Sequence, residues 1–183
     1  MRMEWVAIGV AVAIAIVAIV IFNRLIRQRN LVREGWSGID VQLRRRTDLV
    51  PSLVETVKGY AAHERGTFDS VTQARANAIS AQGPVQQAQA ENALTGALKS
   101  LFAVAEAYPD LKANQNFLAL QEELTATEGR VAYARQFYND SVVTYNTKTQ
   151  KFPTVILANM FHFERRELFD AAPEDTEPVQ VQF

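Results

Sequence analysis

The chain has no cysteine and only two histidines among its 183 residues. The lack of cysteine excludes disulfide bonds, thiolate nucleophiles and cysteine zinc sites, and it suits a reducing compartment. His63 is followed by Glu64, but no second histidine lies four residues from His63, so a zinc site of the HExxH type is absent. His162 lies between two phenylalanines, where a packing role is expected. We therefore predict no metal site and no cofactor.

Signatures of catalysis and of nucleic-acid binding are lacking as well. The sequence contains no GxSxG motif, no phosphate-binding loop and no dinucleotide fingerprint, and no serine or threonine has a neighbouring histidine to act as its base. The formal net charge is −1, and the arginines cluster beside the N-terminal segment instead of forming a separate face. We predict no catalytic residues and no nucleic-acid partner.

One segment has no polar side chain at all, and it covers residues 6–22, VAIGVAVAIAIVAIVIF. As a helix it would span about 26 Å, close to the hydrocarbon thickness of a bilayer. Alternation within GVAVAIAI would indicate a strand in a soluble protein, but a lone strand in lipid leaves its backbone unpaired. A cleavable signal peptide is disfavoured, because the run is long and NRLIRQRN offers no small-residue cleavage site. We predict a transmembrane anchor over residues 1–25.

Positive charge flanks the C-terminal side of this anchor as a basic collar, formed by Arg24, Arg27, Arg29 and Arg33. Because positively charged flanks stay in the cytoplasm, the collar predicts that the N-terminus is outside and the rest of the chain is cytoplasmic. Each arginine near the surface could add about 1 kcal/mol of attraction to anionic lipid.

Small residues recur every four positions within the anchor, at Ala7, Ala11 and Ala15. They would give the anchor a shallow face on which two such helices could approach each other closely. The expected partners are therefore the lipid bilayer, further copies of this chain and, as another option, a different membrane protein.

Beyond the anchor, apolar residues recur at intervals of three and four. A first stripe runs to Val71 and predicts helix on both sides of Pro51, with either a kink at the proline or a short break and a new helix from about residue 49. Gly83 and Pro84 predict a turn, because glycine supplies a left-handed cap and proline can open the next helix. That next helix is expected to end at Pro109.

The longest helix of the soluble part is predicted from Phe117 to Phe152. Lys148 is the one awkward member of its apolar stripe, and Val142 and Thr149 can turn inward instead. A short helix after Pro153, TVILANMF, is expected to plug one end. Long amphipathic helices joined by short turns bury their stripes on one another, so residues 26–163 are predicted to form an antiparallel bundle in an all-α protein. Residues 164–183 are expected to be an acidic, extended or mobile tail.

Three consecutive arginines, at positions 44–46, interrupt the first stripe. Arg46 comes three residues after Leu43, so on an unbroken helix at least one guanidinium lies at the apolar stripe and needs an acidic partner. Asp48, Asp140 or a glutamate of the longest helix could supply it. The alternative is that all three arginines are solvated or face lipid.

The dipeptide Tyr-Asn occurs twice, seven residues apart, as Tyr138-Asn139 and Tyr145-Asn146. Heptad spacing places both tyrosines on the core seam and both asparagines on its flank, where their amides could fix the register of the helices. A ligand-binding ladder is the alternative. The predicted structural polar network comprises Arg46, Asp48, Asn139, Tyr145 and Asn146.

Two long stretches carry a family resemblance: LVREGWSGIDVQLRRRTDLVPSLVETVKGYAAHE, and AEAYPDLKANQNFLALQEELTATEGRVAYARQFYNDSVVTYNTKTQKFPTVILANMFHF. They closely resemble the LemA family of bacterial membrane proteins, and the closing VQVQF resembles that family's usual end. The resemblance implies a helical bundle on the cytoplasmic side of the bacterial inner membrane and no established enzymatic activity. Some relatives are associated with membrane shaping or envelope organisation. No catalytic residue can be carried over, and the glutamine-rich PVQQAQAEN segment departs slightly from the family.

Three functions follow as hypotheses. The first is a non-enzymatic, self-associating scaffold with a role in membrane or envelope organisation. The second is a signalling or regulatory subunit, which a stiff connection through residues 23–46 would favour. The third is an enzyme with a site near the YPDLKAN turn, which requires six side chains to converge on an open cavity: Arg46, Asp48, His63, Glu64, Tyr138 and Asn139.

Overall fold

The structure, a computed structural model, describes residues 2–169. Within those residues it contains six helices and no strand: α1 Arg2–Lys58, α2 Arg65–Ser80, α3 Gly83–Glu106, α4 Pro109–Lys112, α5 Gln115–Gln150 and α6 Thr154–Met160. The predicted all-α class, with an N-terminal apolar helix and a bundle, is confirmed. Residues 170–183 of the predicted tail lie outside the described residues.

The first helix, α1, is a single element of 57 residues that contains both the apolar run and the first stripe of the bundle. It continues through Pro51, so the alternative of a break there is wrong. Val50 and Leu53 are buried on either side of the proline. Their packing holds both adjoining turns against the core and offsets the hydrogen bond that proline cannot make.

The sequence predicted helix from Pro51 to Val71, and the continuity of that helix is wrong. The helix α1 ends at Lys58, and α2, which contains Val71, begins only at Arg65. The intervening turn is held by main-chain hydrogen bonds that include Ala61 N to Val57 O, at 2.9 Å. Ala61 is itself buried and fills the corner. Two features of the sequence indicated this turn: Gly59, and the step of eight residues from Tyr60 to Phe68 in the apolar stripe.

The other predicted boundaries match the structure closely. Gly83 has a positive φ of 79°, and Pro84 lies in the first turn of α3. The helix α3 ends at Glu106, shortly before Pro109, and α4 adds a single turn. Asn114 caps α5, since its side-chain oxygen accepts a hydrogen bond from Phe117 N at 3.1 Å.

The long helices α1 and α5 run antiparallel along most of the bundle. Gly35 of α1 lies beside Tyr138, whereas Arg45, further along α1, reaches back to Glu123. On α5, Val142 and Thr149 are buried and Lys148 is only half-buried, as the sequence predicted. The pairing of these two helices forms the axis of the molecule.

Two hydrophobic clusters lie along this axis. The membrane-proximal cluster joins the middle of α1 to the C-terminal half of α5 and includes Leu25, Ile39 and Tyr145. The distal cluster joins the end of α1 to α2, α3, α4 and the start of α5, and includes Leu53 and Leu101. Consequently α1 belongs to both clusters and connects the anchor to the far end of the bundle.

Candidate functional site

After α6 the chain runs without regular structure from residue 164 to residue 169 and packs against α5; we call this segment the strap. It is the described part of the predicted tail, and its backbone is bound by the side chains of both Tyr-Asn pairs. Phe169, at its end, is fully buried and lies 6.3 Å from the Trp36 ring, while Arg135 lies over the Phe169 ring at 4.9 Å. The strap is therefore docked instead of free.

Each asparagine of the two Tyr-Asn pairs binds both main-chain polar groups of one strap residue. Asn146 Nδ2 donates to Arg166 O at 2.8 Å, and its Oδ1 accepts from Arg166 N at 2.9 Å. Asn139 makes the same two bonds with Phe169, at 3.0 Å and 2.9 Å. A carboxamide offers one donor group and one acceptor side by side, which is the complement of an extended residue's N–H and C=O.

The tyrosines add one hydrogen bond each to the same backbone. Tyr145 Oη donates to Glu164 O at 3.0 Å, and Tyr138 Oη donates to Glu167 O at 2.8 Å. Burial raises the pKa of both tyrosines above the usual value, and the positive charge of Arg166 opposes that shift. The two hydroxyls thus stay protonated and remain donors.

The spacing of the pairs explains why two copies of Tyr-Asn are seven residues apart. Seven helical residues rise about 10.5 Å, and three residues of extended chain cover about 10 Å. Arg166 and Phe169 are three residues apart, and they face Asn146 and Asn139 in reverse order, so the strap runs antiparallel to α5. We call this four-residue arrangement the Tyr-Asn clamp.

The clamp corrects part of the sequence interpretation. The asparagine amides were expected to fix the register of neighbouring helices, but the structure directs them to the strap. The Tyr-Asn pairs form a ladder of hydrogen-bonding groups, as in the alternative interpretation, but what they bind is the backbone of this chain and not a ligand. Sequence reasoning missed the occupant, because residues 164–169 have no apolar periodicity that would indicate docking.

Arg46 lies apart from the clamp, in a buried polar cluster between three helices. Its Nη1 is 2.6 Å from Glu91 of α3, and its Nη2 is 2.6 Å from Glu128 of α5. The same Nη2 donates to Thr95 Oγ1 at 2.8 Å. Arg46 is 2% exposed, so its charge is balanced almost entirely by these two carboxylates.

Of the acidic partners proposed for Arg46, a glutamate of the longest helix is present, as Glu128. Asp48 and Asp140 are exposed and do not join the cluster. Of the expected five-residue network, Arg46 lies in this cluster, and Asn139, Tyr145 and Asn146 belong to the clamp. The sequence did not indicate Glu91, because the register of α3 against α1 cannot be read from periodicity. Arg44 and Arg45 instead form surface pairs with Asp40 and Glu123.

Burial also changes the acidity of this cluster. Desolvation raises the pKa of Glu91 above its usual value, while the charge of Arg46 and its hydrogen bond, together with one from Gln87, act in the opposite direction. Glu128 adds a smaller upward effect as a second negative charge. The cluster connects α1, α3 and α5, and the loss of a partner would leave the buried Arg46 or Glu91 uncompensated, whereas the Glu128 side chain is 43% exposed.

The six side chains of the enzyme hypothesis do not converge. Arg46 is enclosed by its carboxylates, His63 is exposed in the turn between α1 and α2, and Tyr138 binds the strap. A cavity of about 680 Å³ beside Tyr138 is lined by none of the other five. Within residues 2–169, no three His, Asp or Glu side chains are grouped so as to hold a metal ion.

The anchor part of α1 protrudes from the bundle. It is the one helix among residues 2–169 that is long and apolar enough to cross a membrane, and none of its most apolar window is buried. The proposed alanine face, Ala7, Ala11 and Ala15, is exposed. Of the basic collar, Arg24, Arg27 and Arg33 are exposed, whereas Arg29 is half-buried with its guanidinium 5.4 Å from the Phe163 ring centre.

Comparison with known proteins identifies the family. The model of the LemA family matches residues 35–183, which include the Arg46 cluster and the clamp. The chain belongs to the LemA family. It is 25% identical to the magnetosome protein MamQ 2 of Paramagnetospirillum magneticum, over 86% of this chain and 68% of that protein. It is 26% identical to the protein LemA of Metamycoplasma hominis, over 82% of this chain and 69% of that protein. With its exposed apolar helix, this LemA-family chain is a membrane-anchored protein.

Proposed function

We propose that this LemA-family protein is a non-enzymatic scaffold that associates with copies of itself in the bacterial inner membrane. One observation carries the proposal: α1 is both the anchor and the axis of the bundle. A tethered enzyme needs only a flexible linker, whereas a scaffold must hold its surfaces at a defined height and orientation above the bilayer.

The helix α1 connects the anchor rigidly to the bundle. From residue 23 to Lys58, α1 extends about 54 Å at the helical rise per residue. Leu25, Ile39 and Leu53 are at most 1% exposed. The packing of α1 in the membrane-proximal cluster therefore begins at Leu25, within one turn of the apolar run, and burial continues to Leu53 in the distal cluster. No joint therefore separates the anchor from the bundle.

The polar side chains of this chain that stand out in the sequence serve intramolecular contacts. Arg46 is neutralised by two glutamates, and the clamp is filled by the strap. These contacts organise the fold, and they leave the exposed surfaces for association with other proteins or with lipid. The name of the relative MamQ 2, a magnetosome protein, supports a role at a membrane.

The topology in the proposal follows from charge. The exposed members of the collar lie directly after the apolar run, and the opposite flank carries little positive charge. Positive flanks remain in the cytoplasm, so the bundle is cytoplasmic and the N-terminus is outside. Self-association uses the exposed face of Ala7, Ala11 and Ala15, on which two helices can approach closely.

A second candidate function is a signalling or regulatory subunit. It is favoured by the unbroken helix through residues 23–46, because a rigid helix can carry a rotation or a piston motion from the membrane into the bundle. Such a subunit would act on a different cytoplasmic protein. The two candidates therefore differ in the main partner, which is another copy for the scaffold and a distinct protein for the signalling subunit.

Cysteine cross-linking tests the scaffold proposal cleanly, because the chain has no cysteine of its own. Ala11→Cys lies on the alanine face, and Ala13→Cys lies on the opposite side of the same helix, about 200° away. In membranes treated with a mild oxidant, the scaffold predicts a disulfide-linked dimer for Ala11→Cys and far less for Ala13→Cys. Equal cross-linking of both variants, or none, would contradict association through this face.

A further inference from the structure

Around α6 the chain exposes large apolar side chains that the core does not use. Phe152, Ile156, Met160 and Phe161 are 81%, 55%, 64% and 51% exposed. Ile156 and Met160 are four residues apart and share one side of α6, whereas Ala158 points into the core. Four such side chains within ten residues form a surface that needs an apolar partner.

This surface lies at the membrane end of the bundle. The Phe161 ring packs edge-on against Phe22 at 4.8 Å between centres, and Phe163 also contacts Phe22, at 5.9 Å. Phe22 is the last residue of the apolar run. On the other side, Thr154 shares a small cavity with Ile21 and Leu25. Thus α6 is fixed beside the last turn of the anchor.

The position of Phe22 along the membrane normal determines whether the apolar surface around α6 contacts lipid or bulk water. An apolar run of this length spans about 26 Å, slightly less than the roughly 30 Å of a typical hydrocarbon core. Both ends of the run must therefore reach the edges of that core. A ring that packs against Phe22 lies at the boundary between acyl chains and headgroups, not in bulk water.

Charge around the surface agrees with that position. Lys151 precedes Phe152 and is exposed, while Lys148 and Arg24 line the cavity beside α6. Long basic side chains can extend from an apolar surface to lipid phosphates, and aromatic rings prefer the same interfacial layer. Basic and aromatic groups together are typical of segments that lie on a membrane.

We propose that α6, together with Phe152 and Phe161, inserts into the interfacial layer of the leaflet from which the anchor emerges. The protein would then contact the bilayer at two places, and α1 could not tilt freely relative to the membrane. This inference rests on the membrane anchorage proposed above. It assigns α6 a lipid partner in addition to its packing on the end of the bundle.

Single cysteines labelled with a small fluorophore test the proposal in full-length protein reconstituted into vesicles. Ile156→Cys reports on α6, and Leu118→Cys, 47% exposed near the start of α5, is a matched aliphatic control at the distal end. Ile14→Cys, in the middle of the apolar run, reports on anchorage itself. The vesicles contain phospholipids with a nitroxide quencher at either a shallow or a deep position of the acyl chain, and circular dichroism checks that each variant retains its helicity.

The proposal predicts that shallow quenchers remove roughly half of the fluorescence at position 156 and almost none at position 118. Deep quenchers should act on position 14. If position 14 is quenched but position 156 is not, the anchor spans the bilayer and the α6 proposal is wrong, whether water or another copy of the chain covers that face. If position 14 is not quenched either, the membrane anchorage fails together with it.

Discussion

Asn146 holds Arg166 by both main-chain polar groups, with hydrogen bonds of 2.8 Å and 2.9 Å. Asn146 binds only main-chain atoms of Arg166, so the Arg166 side chain can remain exposed to solvent. The same geometry at Asn139 and Phe169 turns an irregular segment into an ordered part of the bundle. In the strap, the side chains of one helix thus order a segment that has no regular secondary structure.

Replacing Asn146 by aspartate should release this end of the strap. The carboxylate can still accept from Arg166 N, but it cannot donate to Arg166 O, and it places a negative charge against that carbonyl. We expect a loss of about 1 kcal/mol in the free energy of unfolding. A spin label at Leu168→Cys, an exposed strap position, should become more mobile. Asn116→Asp, in the first turn of α5, is the control and should leave the label unchanged.

The strap should also respond to alkaline pH. Burial raises the pKa of Tyr138 and Tyr145 in the folded protein, so the fold favours their neutral forms. Their contribution to stability is therefore complete below about pH 10, the usual tyrosine pKa, and is lost as pH rises through the higher folded pKa. The label at Leu168→Cys should become mobile in that range. In the Tyr138→Phe, Tyr145→Phe double variant this pH dependence should disappear, and its persistence would implicate another group.

Removing only the cation of the buried Arg46 cluster should greatly reduce the free energy of unfolding. Arg46→Met leaves Glu91 and Glu128 without their shared cation, and we expect a loss of about 3–5 kcal/mol in stability. Adding Glu91→Gln to Arg46→Met should recover part of that loss, because it removes one unpaired buried charge. Chemical denaturation of the two single variants and the double variant measures the coupling. Arg44→Met, which breaks only an exposed pair with Asp40, is the control and should cost less than about 1 kcal/mol.

The close approach of α1 and α5 depends on Gly35. A Cβ atom there would lie 3.1 Å from Tyr138 Cα, a backbone atom that cannot move away cheaply. Gly35→Ala should therefore destabilise the protein by about 1–2 kcal/mol despite the better helix propensity of alanine. Gly38→Ala, where no atom lies within 4 Å of the added Cβ, should stabilise it by up to about 1 kcal/mol. Thermal unfolding of both variants in the same detergent would detect the opposite signs, and equal shifts would contradict the close packing.

Periodicity predicted those parts of the fold that depend on one helix at a time. The choice of Val142 and Thr149 over Lys148 followed from the rotation of the apolar stripe on α5, and the turn at Gly83 followed from local backbone preferences. Periodicity did not predict the short turn after Gly59 that separates α1 from α2. The apolar stripes on the two sides of this turn remain nearly in phase, so they resemble one continuous helix. At Pro51 the sequence left a kink and a break as alternatives, and the burial of the flanking residues keeps α1 continuous there.

The candidate sites were less accessible to sequence reasoning, because they depend on contacts between elements. Arg46 was recognised as a charge in need of a partner, yet which carboxylate reaches it depends on how α3 is rotated. Tyr138 and Asn146 were recognised by their heptad spacing. That they bind the strap could not be predicted. The clamp bonds to main-chain atoms, so it requires no particular side chains in the segment that it binds.

Self-association of the full-length chain in a bilayer is the central claim, and counting subunits by single-molecule photobleaching at decreasing protein-to-lipid ratios tests it most directly. The scaffold proposal predicts that multi-step bleaching persists on dilution for the unaltered sequence and falls toward single steps when Ala11 is replaced by a bulky isoleucine. Single-step bleaching of the unaltered chain at every ratio would contradict it.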